Sequence, residues 1–194
     1  YMEINIGISN HHVHLKQEDV DILFGKDYVL TKKRDLSQLG QYACEEMVTL
    51  KTEKNEISRV RVLGPVRKYS QVEISKTDAF TLGLNPPVRE SGDLSASESI
   101  TLIGPKGEVH LEEGCIIASR HIHAHPDDVK RLGLEGVSEV DVLLPGVKGG
   151  ILHHVSIKVD PTYVLELHLD TDDGNAHLIN KDTKGIILKR EDHE

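Results

Sequence analysis

The chain has 194 residues, is 38% hydrophobic and 28% charged, and carries a formal net charge of −9. That composition suits a folded protein with a real core and excludes wholesale disorder. It also argues against a nucleic-acid-binding face, which needs clustered cations, and no apolar run approaches the roughly 20 residues that span a bilayer.

In chain order, β-branched or alternating apolar runs predict strands over 4–8, 47–51, 58–63, 71–75, 99–103, 108–111, 114–118, 139–144, 152–159 and 164–169. Gly64-Pro65, Gly104-Pro105-Lys106-Gly107 and Pro145-Gly146 punctuate them. Helical patches are short. Residues 16–24 bring Val20, Leu23 and Phe24 to one side, 76–82 gives another patch, and 126–132 opens on proline and two aspartates. Many strands with small helices predict a mainly β fold with short capping helices, closed into barrels. The start of the sequence lacks the basic and apolar regions of a signal peptide. Cys44 and Cys115 are too scattered for a disulfide framework, so a cytoplasmic location is expected.

An internal echo runs through these elements. Aligning His12 with His121 pairs Ile8 with Ile117, Val13 with Ile122 and His14 with His123. It goes on to pair Glu18-Asp19-Val20 with Asp127-Asp128-Val129, and Leu23 with Leu132. A second echo pairs Asp35-Leu36-Ser37 with Asp93-Leu94-Ser95. The expectation is an internal duplication, in which strand, His-x-His, short helix and further strands are used twice.

In an extended segment, side chains at i and i+2 share a face, so both imidazoles of His12-Val13-His14 or His121-Ile122-His123 can reach one ion. Neutral imidazole is a preferred zinc ligand. A single His-x-His is an ordinary surface feature, but two copies in a matching frame point to metal. Glu73 and His168 lie in apolar strands and are candidate third ligands; each reads equally well as a solvent-facing residue of a half-exposed strand. His110, His153, His154, His177 and His193 are expected at the surface, and His11 and His125 point away from the pairs. Cys44 and Cys115 suit zinc by type, but their spacing does not recommend them.

A series of motifs then resembles one family. The series is Ile-Ser-Asn-His-His-Val-His-Leu at 8–15, Arg-Val-Leu-Gly-Pro-Val-Arg-Lys at 61–68, Gln-Val-Glu-Ile-Ser at 71–75, Ser-Gly-Asp-Leu at 91–94, Ala-Ser-Arg-His-Ile-His at 118–123 and Tyr-Val-Leu-Glu-Leu-His-Leu-Asp-Thr-Asp at 163–172. Over nearly the whole chain it closely resembles the PduL-type phosphate propanoyltransferases. The resemblance implies reversible transfer of a propanoyl or acetyl group from acyl-CoA to inorganic phosphate, giving acyl phosphate and coenzyme A. It implies two β-barrel domains, residues 1–25 with 113–194 and residues 26–112, with a two-zinc site between them. One Zn2+ (or another divalent metal) would be held by His12, His14 and Glu73, and the second by His121, His123 and His168. Arg67 would bind phosphate and act in catalysis, and Ile8, Ser9, Asn10, Arg61 and Asn175 would contact coenzyme A. A homodimer is expected. Members packaged as shell or cargo of a bacterial microcompartment usually carry an amphipathic N-terminal segment not seen here, so the expectation is either a free cytoplasmic member or a trimmed sequence. His11 stands where many relatives carry arginine, and His125 where they often carry serine.

For the chemistry, Arg67 offers a planar fork that fits phosphate oxygens. Phosphate is expected to attack the thioester directly, without an acyl-enzyme. Two alternatives compete. The spacing from His12-Val13-His14 to Glu18 and Gly25 fits a first cupin motif, but Glu18 falls in a helical stretch. An amidohydrolase also opens on His-x-His, but on a longer (β/α)₈ barrel.

Overall fold

Val13 and Ile122, the residues between the paired histidines, are both fully buried, and each belongs to a separate hydrophobic core. The strands around them explain why. The computed structural model describes residues 2–189 and divides into two compact units. One runs up to Ser9 and resumes at Ser119; the other is Asn10–Ala118.

The chain opens with β1 (Glu3–Ser9), β2 (His12–His14), α1 (Gln17–Phe24), β3 (Lys32–Asp35), β4 (Tyr42–Lys51), β5 (Glu56–Gly64), β6 (Gln71–Glu73) and α2 (Lys76–Leu82). It continues with β7 (Val88–Arg89), β8 (Glu98–Ile103), β9 (Glu108–Ala118), β10 (His121–Ala124) and α3 (Pro126–Arg131). The last elements are β11 (Glu139–Leu144), β12 (Gly150–Val159), β13 (Glu166–Asp170), α4 (Thr171–Ala176) and β14 (Lys184–Leu188).

Each unit closes a ring of six strands. In the first, the order is β1-β13-β10-β12-β11-β14, and β14 pairs back to β1. In the second, β4-β5-β2-β6-β9 is closed by β8, which pairs with both β9 and β4, while β3 and β7 lie outside the ring. Closure leaves no bare edge within the ring and puts one face of every strand inside. Val48, Leu50, Val60 and Val62 fill one interior, and Val140, Val142, Val155 and Leu167 the other. The mainly β, duplicated architecture expected from the sequence is present.

The duplication extends to the pairing. β2 lies parallel to β5 and antiparallel to β6. β10 likewise lies parallel to β12 and antiparallel to β13. In each unit the short His-x-His strand is followed by a helix and is flanked by one neighbour of each direction.

The structure redraws several boundaries. The units part at Ser9/Asn10 and Ala118/Ser119, instead of after 25 and before 113. Residues 12–14 hydrogen-bond into the second ring, and the buried face of α1, Val20 and Leu23, belongs to its core. The strands read at 108–111 and 114–118 are one continuous β9, whose polar Glu112-Glu113-Gly114 stretch hid the connection. His193 lies outside the described residues.

Candidate metal centres and the arginine loop

The first trio is built from β2 and β6. In register, His12 stands opposite Glu73. His14 lies two positions on from His12 on the same face, and its ring centroid is 5.0 Å from that of His12. His12 Nε2 is 2.8 Å and His14 Nε2 3.2 Å from a single Glu73 oxygen, Oε2. The backbone carbonyl of Asn10 accepts from His12 Nδ1 at 2.8 Å, which turns the other ring nitrogen toward Glu73. Burial lowers the pKa of His12, but the charge and hydrogen bond of Glu73 outweigh it, so the net shift is upward. Burial pushes Glu73 up, and the neighbouring His12 and His14 pull it well below the usual carboxylate range. Burial dominates at His14 and brings it down to about 4, so that ring is neutral at physiological pH.

The second trio repeats this plan on β10 and β13. His168 stands opposite His121, as Glu73 stands opposite His12. The carbonyl of Ser119 lies 2.8 Å from His121 Nδ1, the counterpart of the Asn10 contact, and leaves Nε2 for the trio. Ring centroids lie 4.9 Å apart for His121–His123 and 4.4 Å apart for His123–His168. His123 stacks on Tyr163 at 3.9 Å. Burial, then the neighbouring His168 and His121, bring His123 down to about 3. Glu166 adds a carboxylate oxygen 2.8 Å from His168 Nε2. It lies over Gly7, where a Cβ would meet that oxygen at 2.8 Å.

Both trios fit a divalent cation. In each, the ligand atoms lie within 4.8 Å of one another. The donor sets are three imidazoles, or two imidazoles and a carboxylate, which are zinc-type ligands. His14 Nδ1 and His123 Nδ1 are buried without a hydrogen-bond partner. Orphaned buried nitrogens are costly, and the neutral rings of His14 and His123 have lone pairs to offer a cation.

Arg67 belongs to the same unit as the first trio. The loop bearing it is fixed by its backbone N–H donating to the Leu15 carbonyl at 2.8 Å, and by Ser70, which accepts from Lys16 N–H and donates to buried Asp19. Its Nη1 lies 3.3 Å from Tyr69 Oη and 3.2 Å from Ser91 Oγ. Its positive charge is felt at both His12 and His14, where it lowers the pKa.

The other expected site residues are spread over exposed or half-buried positions. Ile8 and Ser9 are exposed at the end of β1, and Asn175 is exposed on α4. α4 packs against β1, with Ile8 Cδ1 2.8 Å from where a Gly174 Cβ would stand. Asn10 is exposed and supplies the carbonyl that orients His12. Arg61 lies beside His12 across β5 and β2, and its Nη1 donates to the Cys44 carbonyl at 2.9 Å.

The remaining histidines have other work. His11 pairs with Asp78 at 3.1 Å, the residue that completes the capping box of α2. His125 is the N-cap of α3, accepting from Asp127 N–H at 3.0 Å, a role that serine commonly fills. His110, His153 and His154 are exposed, and His177 is half-buried against the Lys148 carbonyl. Glu18, which the cupin reading requires as a ligand, is an exposed residue of α1. Cys44 and Cys115 are buried in the apolar core away from either trio's ligand set.

Sequence reasoning missed Gln71, Ser91 and Glu166. The signal was available for two of them. Gln71 and Glu166 each sit two residues before an expected ligand, and so on its face of the strand.

Comparison with known proteins shows the family. A family described as phosphate propanoyltransferase matches residues 5–180. A phosphate propanoyltransferase of Thermotoga maritima is 50% identical over 178 residues, 91% of this chain and 85% of that protein. One from Rhodobacter capsulatus is 47% identical over 186 residues, 96% of this chain and 86% of its own length. One from Rhodopseudomonas palustris is 44% identical over 188 residues, covering 97% and 83%.

Proposed function

Given that the chain belongs to the phosphate propanoyltransferase family and is thus a phosphate acyltransferase, we propose that it works with one divalent ion on each trio, zinc by the donor chemistry. The reaction is acyl-CoA plus phosphate to acyl phosphate plus coenzyme A, with a propanoyl or acetyl group. The observation that carries the metal reading is the repeated register: a third donor directly across the strand pair from the first histidine, in both units.

When bound, such ions supply Lewis-acid stabilisation of developing negative charge and a soft position for a departing thiolate. The chain's own residues do the rest. His14 and His123 are neutral and present lone pairs near pH 7. Glu73 places one negative charge in the first trio, a charge the all-histidine trio lacks. Arg67 presents two parallel N–H donors to phosphate oxygens and holds the anion in place for the incoming thioester. Ile8, Ser9 and Asn175 on one unit, and Asn10 and Arg61 on the other, are candidate coenzyme A contacts, each at an exposed or half-buried position.

Phosphate attacks the thioester carbonyl directly. A phosphate oxygen bonds to the carbonyl carbon, the C–S bond breaks, and the sulfur leaves as thiolate. Both cysteines are buried in the core, so neither is placed to accept the acyl group.

The test is thiol release from propanoyl-CoA and acetyl-CoA, with and without phosphate, before and after chelation. The proposal requires release that depends on both phosphate and metal. Release without phosphate would make the protein a thioester hydrolase instead.

A further inference from the structure

The Ser91-Gly92 turn and fully buried Gln71 have no part in the chemistry above, yet they join its two halves. Gln71 has no exposed surface, and every hydrogen-bonding atom of its amide is used. Nε2 donates to Glu73 Oε2 at 3.1 Å and to Ser91 Oγ at 3.1 Å. Oε1 accepts from Gly92 N–H at 2.8 Å, which fixes which way round the amide sits. Ser91 Oγ in turn accepts from Arg67 Nη1 at 3.2 Å. The result is a continuous path, Glu73–Gln71–Ser91–Arg67, from a carboxylate of the first trio to the guanidinium. The turn packs closely on Tyr69: Gly92 has φ +94, and a Cβ there would meet Tyr69 Oη at 3.2 Å, the same hydroxyl that contacts Arg67.

We infer that Gln71 and Ser91 are positioning residues that set Arg67 and Glu73 in one fixed relation, so that phosphate is held at a defined place beside the first metal. This rests on the reading of Arg67 as the phosphate-binding group. A glutamine suits the task because it donates twice without adding charge; a glutamate at 71 would repel Glu73 and accept where donors are needed. Ser91 removes one of the guanidinium's several orientations. Without it, phosphate would have to order that side chain on binding.

The test compares Ser91→Ala, Ser91→Thr, Gln71→Met and Arg67→Ala, each assayed for KM of inorganic phosphate and of propanoyl-CoA, and for metal retained against a chelator. Ser91→Ala should raise the phosphate KM about 10-fold, the size expected for one hydrogen bond to a charged group, with the propanoyl-CoA KM within about twofold. Ser91→Thr, which keeps the hydroxyl, should restore the phosphate KM. Gln71→Met should raise it as well and should lose one equivalent of metal to the chelator faster than wild type does. Should Gln71→Met fail to fold, the Ser91 pair still decides. An unchanged phosphate KM in Ser91→Ala, alongside a raised one in Arg67→Ala, would overturn the inference alone. An unchanged value in Arg67→Ala would remove the reading of Arg67, and this inference with it.

Discussion

Glu73 stands directly across the β2–β6 pair from His12, with its Oε2 2.8 Å from His12 Nε2. His168 has the same relation to His121 across β13 and β10. A carboxylate and an imidazole thus occupy equivalent positions in two copies of one supersecondary unit. The frame occurs twice, and its third position holds a carboxylate in one copy and an imidazole in the other, so the two ligand sets differ by a charge.

That difference predicts the effect of neutralising Glu73. Glu73→Gln keeps the shape and removes the anion and one metal-binding oxygen. Phosphate-dependent thiol release should fall about 100- to 1000-fold, the usual loss when a preorganised electrostatic group is removed. Steady-state assays at saturating phosphate would check this, and full activity would exclude Glu73 from the centre.

Arg67→Lys separates charge from geometry. Lysine retains the positive charge but has no planar fork. The phosphate KM should rise about 10-fold, and the effect on propanoyl-CoA should be small. Initial rates over a phosphate series give the answer.

The two thiols predict a pH dependence. Burial and then Glu46 push Cys44 up to about 11, and burial, Glu98 and Asp78 push Cys115 up to about 12. An unfolded thiol near 8.5 is about a quarter ionised at pH 8. In the native protein both stay protonated, so alkylation at pH 8 should be more than about 100-fold slower folded than in denaturant. The unfolded chain releases these protons above about pH 8.5 while the folded chain retains them, so stability falls as pH rises past that point. Timed iodoacetamide labelling read by mass spectrometry measures the first effect, and denaturant midpoints between pH 7 and 10 the second.

His125 caps α3 through its side chain. His125→Ala should cost about 1 kcal/mol, and His125→Ser should recover most of it. Urea unfolding of the three proteins compares them, and equal midpoints would show that the cap contributes nothing.

Much of this was legible in the sequence, for stated reasons. β11 (Glu139–Leu144) and α2 (Lys76–Leu82) fall where their patterns place them, because alternation and the Ser75–Asp78 capping box are local signals. The His-x-His pairs announce themselves by spacing. β3 is a run of Lys-Lys-Arg-Asp, exposed throughout and paired with β4, so no apolar alternation marks it. α4 is a polar six-residue helix containing Gly174 and held by the Asp170 cap, with too few apolar positions to show a period. The pairing of Glu73 with His12 depends on strand register across 61 positions, which local spacing cannot reveal.

The most direct measurement of the central claim is metal content per chain after zinc loading and desalting, for wild type, His14→Ala and His168→Ala. About two ions in wild type and about one in each variant are predicted, since each variant breaks one three-ligand site and spares the other. Wild-type protein that retains no ion, or variants that match it ion for ion, would contradict the account.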